Sequence, residues 1–197
     1  MQPLTRHSGS ATLPGTMFER VLTILESLRT AVPHPRADER LLRLFDTLQR
    51  APNNDVAETI EGEIWQIWSF SASDDTGRQL MQEGIAALAG GRVEPAEITF
   101  GRLIAHDPDF AEAWNKRATA RFLLDDHRGS IADIEETLTR EPRHFGALSG
   151  LAQIMMAEAE WGGAASALEA ALRVNPHLKS VRAALETIKR KIRRSLH

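Results

Sequence analysis

Three consecutive stretches of 34 residues, starting at Gly77, Ala111 and Phe145, repeat one arrangement of small, large and proline positions without a gap. Position 8 of each is Gly84, Ala118 and Ala152, and position 20 is Ala96, Ser130 and Ala164. Position 24 is Phe100, Ile134 and Leu168, and position 32 is Pro108, Pro142 and Pro176. A period of this length leaves room for one supersecondary unit per repeat, which must bury its apolar face against its neighbours. Small residues at positions 8 and 20 let two helix backbones approach at a crossing, where a larger side chain would cost about 1–3 kcal/mol in strain. Position 24, with Leu80, Trp114 and Leu148 at position 4, fills the space beside the crossing. Proline at position 32 ends the second helix, because it pushes the preceding residue out of the helical region. The chain is therefore expected to be all-α, a stack of helix-turn-helix units.

The pattern resembles the tetratricopeptide repeat (TPR), with repeats at 77–110, 111–144 and 145–178. The runs AEAWNKRAT (111–119) and EPRHFGALSGLAQI (141–154) look like a group of short alphaproteobacterial TPR proteins with no assigned activity. The resemblance implies an α-α superhelix that binds another protein on its inner wall and catalyses nothing. Three departures from the pattern stand out. Position 7 carries Glu83 and Arg117, position 11 carries Ala87, Arg121 and Met155, and Thr137 stands at position 27. The middle repeat is the most polar.

Residues 1–16 mix Ser, Thr, Gly and Pro without period and are expected to be disordered. Apolar spacing predicts helices at 17–31, 38–50 and 55–69, with Val56, Ile60, Ile64 and Trp68 inward. Residues 17–73 read as an N-terminal helical cap whose Trp65, Trp68 and Phe70 anchor on the helix starting near Asp74. The repeat helices are expected at 75–89, 95–106, 110–124, 128–140, 144–159 and 162–173. Asp109 and Glu112 have capping-box spacing, and Gly90-Gly91 and Gly162-Gly163 read as tight turns. Residues 177–194 form a last helix, and 179–197 is the basic C-terminal cap.

There is no cysteine, which excludes a disulfide framework, a thiolate metal site and a cysteine nucleophile. No run approaches the ~18 apolar residues of a membrane span. The first sixteen residues lack the apolar core of a signal peptide, so the chain as written is expected to be cytoplasmic, or exported if its start is truncated. Charge is uneven. Residues 1–72 carry 7 basic and 9 acidic side chains, whereas residues 179–197 carry 7 basic and 1 acidic.

The resemblance places the first helices of the repeats on the inner wall. Its candidate partner-binding residues are Arg78, Met81, Ile85 and Leu88, then Asn115, Lys116, Thr119 and Phe122, then Ser149, Gln153 and Met156. The wall is mostly apolar and suits a peptide or an amphipathic helix, with Gly146 and Gly150 leaving room for an inserted side chain. TPR domains that clamp an acidic C-terminus resemble one another in Lys, Asn and basic groups at positions where this chain has Met81, Ile85, Lys116, Gly146 and Gly150. An acidic C-terminus is thus not the expected ligand. The 17–31 helix is a candidate internal occupant of the groove.

The alternative reading is attachment to an anionic membrane surface, acidic partner or nucleic acid through Lys189, Arg190, Lys191, Arg193 and Arg194. Nucleic acid is disfavoured, since no aromatic residue interleaves the cations to stack on bases. Asp133, Glu135 and Glu136 read as a solvated face, and His106, His127 and His144 fall at turns. No catalytic residue, metal, cofactor or small-molecule substrate is expected.

Overall fold

The computed structural model describes residues 16–31 and 39–195, and the expectation of disorder for residues 1–15 lies outside them. Ten helices are described: α1 (Met17–Ser27), α2 (Glu39–Gln49), α3 (Asn54–Phe70), α4 (Asp75–Ala89), α5 (Val93–His106), α6 (Ala111–Leu123), α7 (His127–Arg140), α8 (Phe145–Ala157), α9 (Trp161–Val174) and α10 (Lys179–Ser195). The pairs α4–α5, α6–α7 and α8–α9 repeat one geometry. Each turn places its position-15 residue in the left-handed region: Gly91 (φ 71°), Asp125 (φ 59°) and Ala159 (φ 58°). Only Gly91 matches the expected glycine turns. Gly162 and Gly163 lie inside α9, and a Cβ on Gly163 would come within 2.9 Å of Met155 Sδ and 3.0 Å of the Phe18 ring.

The small positions meet where the period places them. Ser130 Oγ donates to the Ala118 carbonyl at 2.8 Å, joining positions 20 and 8 of the middle repeat. In the first repeat a Cβ on Gly84 would fall 2.4 Å from the fully buried Phe100 ring. Gly84→Ala is therefore expected to cost about 1–3 kcal/mol in urea unfolding. Gly150→Ala serves as the control, because its Cβ would meet only Ile134 Cδ1 at an ordinary 3.7 Å. Equal losses at the two sites would contradict the packing argument.

The polar departures of the middle repeat compensate one another. Arg117 forks onto Asp133, Nε to Oδ2 at 2.9 Å and Nη2 to Oδ1 at 2.7 Å. Arg121 Nη1 reaches the same carboxylate at 3.0 Å and its Nε reaches Glu97 at 3.1 Å. Asp133 is buried, which corrects its assignment to a solvated face. A charge set replaces the apolar contacts at positions 7 and 11, and the arginines are tolerated because each has a carboxylate partner. Trp114 lies between two cations, Arg117 at 5.0 Å and Arg140 at 4.8 Å.

The hairpin α2–α3 is not placed as expected. Its aromatics pack on the third repeat: the rings of Trp68 and Phe45 lie 5.1 Å and 6.4 Å from that of Phe145. Gln49 Nε2 donates to the carbonyls of Arg173 (2.8 Å) and Val174 (2.6 Å) at the end of α9. Asn175 Nδ2 donates to Glu61 at 3.0 Å, and Lys179 pairs with Glu58 at 3.0 Å. Phe70 and Val56 are exposed rather than anchoring.

The reason lies in α4. Gln79, Glu83 and Ala86 are exposed on it, whereas the equivalent Ala147, Leu151 and Ile154 of α8 are buried. The first pair thus presents a polar outer face and has no apolar end for the hairpin to cover.

α1 is also placed differently from expectation. It lies against α7 and α9, second helices of their pairs, and not on the wall of first helices. Phe18 abuts Gly162 and Gly163, and Arg20 pairs with Glu135. At the other end α10 packs Val181, Leu185 and Ile188 towards α9.

Candidate functional site

The first helices α6 and α8 run side by side, and Gly146 and Gly150 leave the α8 side of the seam without side chains. A cavity of about 220 Å³ opens there. Ala118, Ser130 and Ile134 border it within the repeat, and Asn115, Lys116, Thr119, Phe122 and Gln153 also line it. The remaining wall is Trp65 of α3. Its indole Cη2 lies 2.5 Å from where a Gly146 Cβ would stand, so only glycine admits the ring.

A buried polar cluster fixes this wall from behind. Glu112 is 1% exposed, so the chain does not use it in the expected capping box, and the first turn of α6 has no side-chain cap. His144 Nδ1 accepts the Ala147 backbone N–H (3.1 Å), which leaves the ring proton on Nε2, facing Glu112 Oε2 at 2.8 Å. Asn115 Nδ2 donates to that oxygen at 2.9 Å. Lys116 Nζ lies 3.0 Å from the second oxygen as an ion pair set off the hydrogen-bonding direction. Burial alone would raise the Glu112 pKa, but the bond from His144 and the Lys116 charge outweigh it and hold the carboxyl below its ordinary range. Trp68 stacks on the His144 ring, centroids 4.0 Å apart at 12°, and Trp65 meets the same ring edge-on at 5.6 Å.

Five of the predicted groove residues, Asn115, Lys116, Thr119, Phe122 and Gln153, border this cavity. The others do not. Met81 is buried and Leu88 half-buried in the first-repeat core, Ile85 is on the surface, and Arg78 is held by Asp75. Ser149 bonds back to the Phe145 carbonyl at 2.8 Å, and Met156 packs on the core of repeats two and three. Sequence reasoning missed Trp65 as a wall. The signal was present at position 1, where Gly77 and Ala111 are followed by the much larger Phe145, and at position 2, where Arg78 and Glu112 give way to Gly146.

The basic patch is partly engaged within the molecule. Lys189 pairs with Glu169 at 3.0 Å, Lys191 sits 3.5 Å over the Trp161 ring, and Arg190 donates to Thr187. Arg193 and Arg194 are exposed in the last turn of α10. The turn histidines are paired: His106 with Asp74 at 2.9 Å, and His127 with Glu158. The Gly77 backbone N–H, and then His106, hold Asp74 below the usual carboxylate range.

No protein-family model matches the chain. It is 40% identical over 156 residues to a TPR repeat-containing protein of Rhizobium etli, spanning 79% of this chain and 74% of that one. The Sgt2 TPR domain of Aspergillus fumigatus superposes with a TM-score of 0.59 at 25% identity, over 63% of this chain and 83% of that one. The first TPR domain of Spaghetti (RPAP3), bound to an HSP90 peptide, gives 0.57 at 18% identity, over 59% and 94%. The period of 34, the paired helices with their small crossing residues and this relative agree, and the chain belongs to the tetratricopeptide-repeat proteins.

Proposed function

We propose that this protein is a non-catalytic interaction scaffold that holds an extended or helical segment of a partner along α6 and α8, with one large apolar side chain in the cavity beside Trp65. The observation that carries the reading is the cavity itself: a recess walled by Trp65, Phe122 and Ile134, with polar Asn115, Lys116, Thr119 and Gln153 around them. A pocket of this composition fixes an apolar anchor and orients the backbone beside it. The HSP90 peptide held by the Spaghetti domain supports peptide binding by the same fold. The predicted mismatch to an acidic C-terminus carries over, because Gly146 and Gly150 supply no cation and Lys116 is already paired with Glu112.

Gly150→Phe tests this, since the glycine has space on the cavity side. Partners captured by the wild type and identified by mass spectrometry are expected to bind Gly150→Phe at least about tenfold more weakly. They should be retained by the double variant Arg193→Ala, Arg194→Ala. If binding survives the filled cavity and is lost with the two arginines, attachment through α10 is the correct function, and steep weakening with salt would accompany it.

A further inference from the structure

α1 is a ligand-like element. At 11 residues it is below the length at which an isolated helix is stable in water, so it is helical only because it is docked. Val21, Ile24 and Leu25 are buried against the trench between α7 and α9, and Phe18 lies over the glycines of α9. Arg20 places Nε at 3.0 Å and Nη2 at 2.6 Å from a single oxygen of Glu135.

The apolar face is well buried, but the described residues leave space on the flanks. Three clefts open along the helix: about 650 Å³ beside Thr16 and Arg20, about 380 Å³ beside Leu22 and Glu26, and about 230 Å³ beside Leu28 and Ala31. A short helix held along one face, with clefts on its flanks, can undock locally at a lower free energy than the helices of the stack. The trench holds a helix, and the described residues of α1 do not fill its flanks.

We propose that the trench between α7 and α9 is a second docking site, which takes an amphipathic helix of a partner protein in place of α1. The complementary helix carries apolar residues at the spacing of Phe18, Val21 and Leu25, and a cation two residues after the first of them, as Arg20 is, to meet Glu135. α1 is tethered and so holds the site at high effective concentration. A partner displaces it by filling the flanking clefts with larger side chains or a longer helix. This site lies on second helices and is independent of the groove reading.

The test uses the full-length chain and a fluorescein-labelled peptide of residues 16–31. Val21→Asp undocks α1, and its helical content and melting report that the rest is folded. Peptide anisotropy is expected to show binding to Val21→Asp at least about tenfold tighter than to wild type. Adding Glu135→Arg should abolish that gain, and a peptide carrying Arg20→Glu should restore it.

A folded Val21→Asp chain that binds no better than wild type overturns the proposal, as does a charge pair that fails to rescue. If Val21→Asp does not fold, hydrogen exchange on the wild type decides. Faster exchange in α1 than in α7 and α9 supports a separable helix, and equal protection overturns it. A wild-type dimer that dissociates on Val21→Asp would mean that a second copy's α1 fills the trench, and would overturn the partner assignment.

Discussion

Glu112→Ala is expected to destabilise the protein by about 3–5 kcal/mol, because it breaks a buried charged cluster and leaves its partners unsatisfied. His144, 0% exposed, would lose the acceptor for Nε2, and Lys116 would keep a charge against the Trp65 ring with no anion beside it. Urea unfolding of the pure protein measures the loss, and a change under about 1 kcal/mol would contradict the account. The same carboxylate predicts a pH dependence. Its folded pKa lies below its unfolded value, so its stabilisation is present above the ordinary glutamate range and is lost as pH falls through the folded value. Glu112→Gln should flatten that acid limb, read as the slope of unfolding free energy against pH below about 4.5.

Phe145→Ala is expected to cost about 3–5 kcal/mol through cavity formation in a packed aromatic cluster. The effect should be regional. Phe145 touches Phe45, Trp65 and Trp68, so its removal should release α2–α3 while α4–α5 stay protected in hydrogen exchange. Tryptophan emission should shift to the red as Trp65 and Trp68 gain water. If α4–α5 lose protection first, the hairpin is acting as the N-terminal cap that the sequence suggested, and its assignment to the third repeat is wrong.

Legibility in the sequence followed the length scale of the cause. The turns after α4, α6 and α8 recur at position 15 whether the residue is Gly91, Asp125 or Ala159, because the pairing of helices imposes the turn and local chemistry only eases it. Glu112 read as a cap because a carboxylate three residues after Asp109 serves that role in isolation. Its burial depends on His144, thirty-two residues away, which no local spacing reveals. The arginines at positions 7 and 11 were visible as departures. Their compensation by Asp133 was not, because the three are brought together only by the α6–α7 crossing. Of the residues that the resemblance placed on the inner wall, Asn115, Lys116, Thr119, Phe122 and Gln153 border the cavity between α6 and α8. Met81 is instead buried in the core of the first repeat, where α4 has no preceding pair beside it.

The stack of helix pairs was determined by the sequence alone: a 34-residue period with small residues at each crossing admits no other way to bury the apolar faces. What only the tertiary structure decided is where the non-repeating helices go. α1 and α3 are amphipathic, and an apolar stripe says that a helix must be covered without saying by what. The choice of α8 for the hairpin, and of α7 and α9 for α1, rests on shape and partners: a phenylalanine where other repeats are small, a glycine under Trp65 and an acid opposite Arg20.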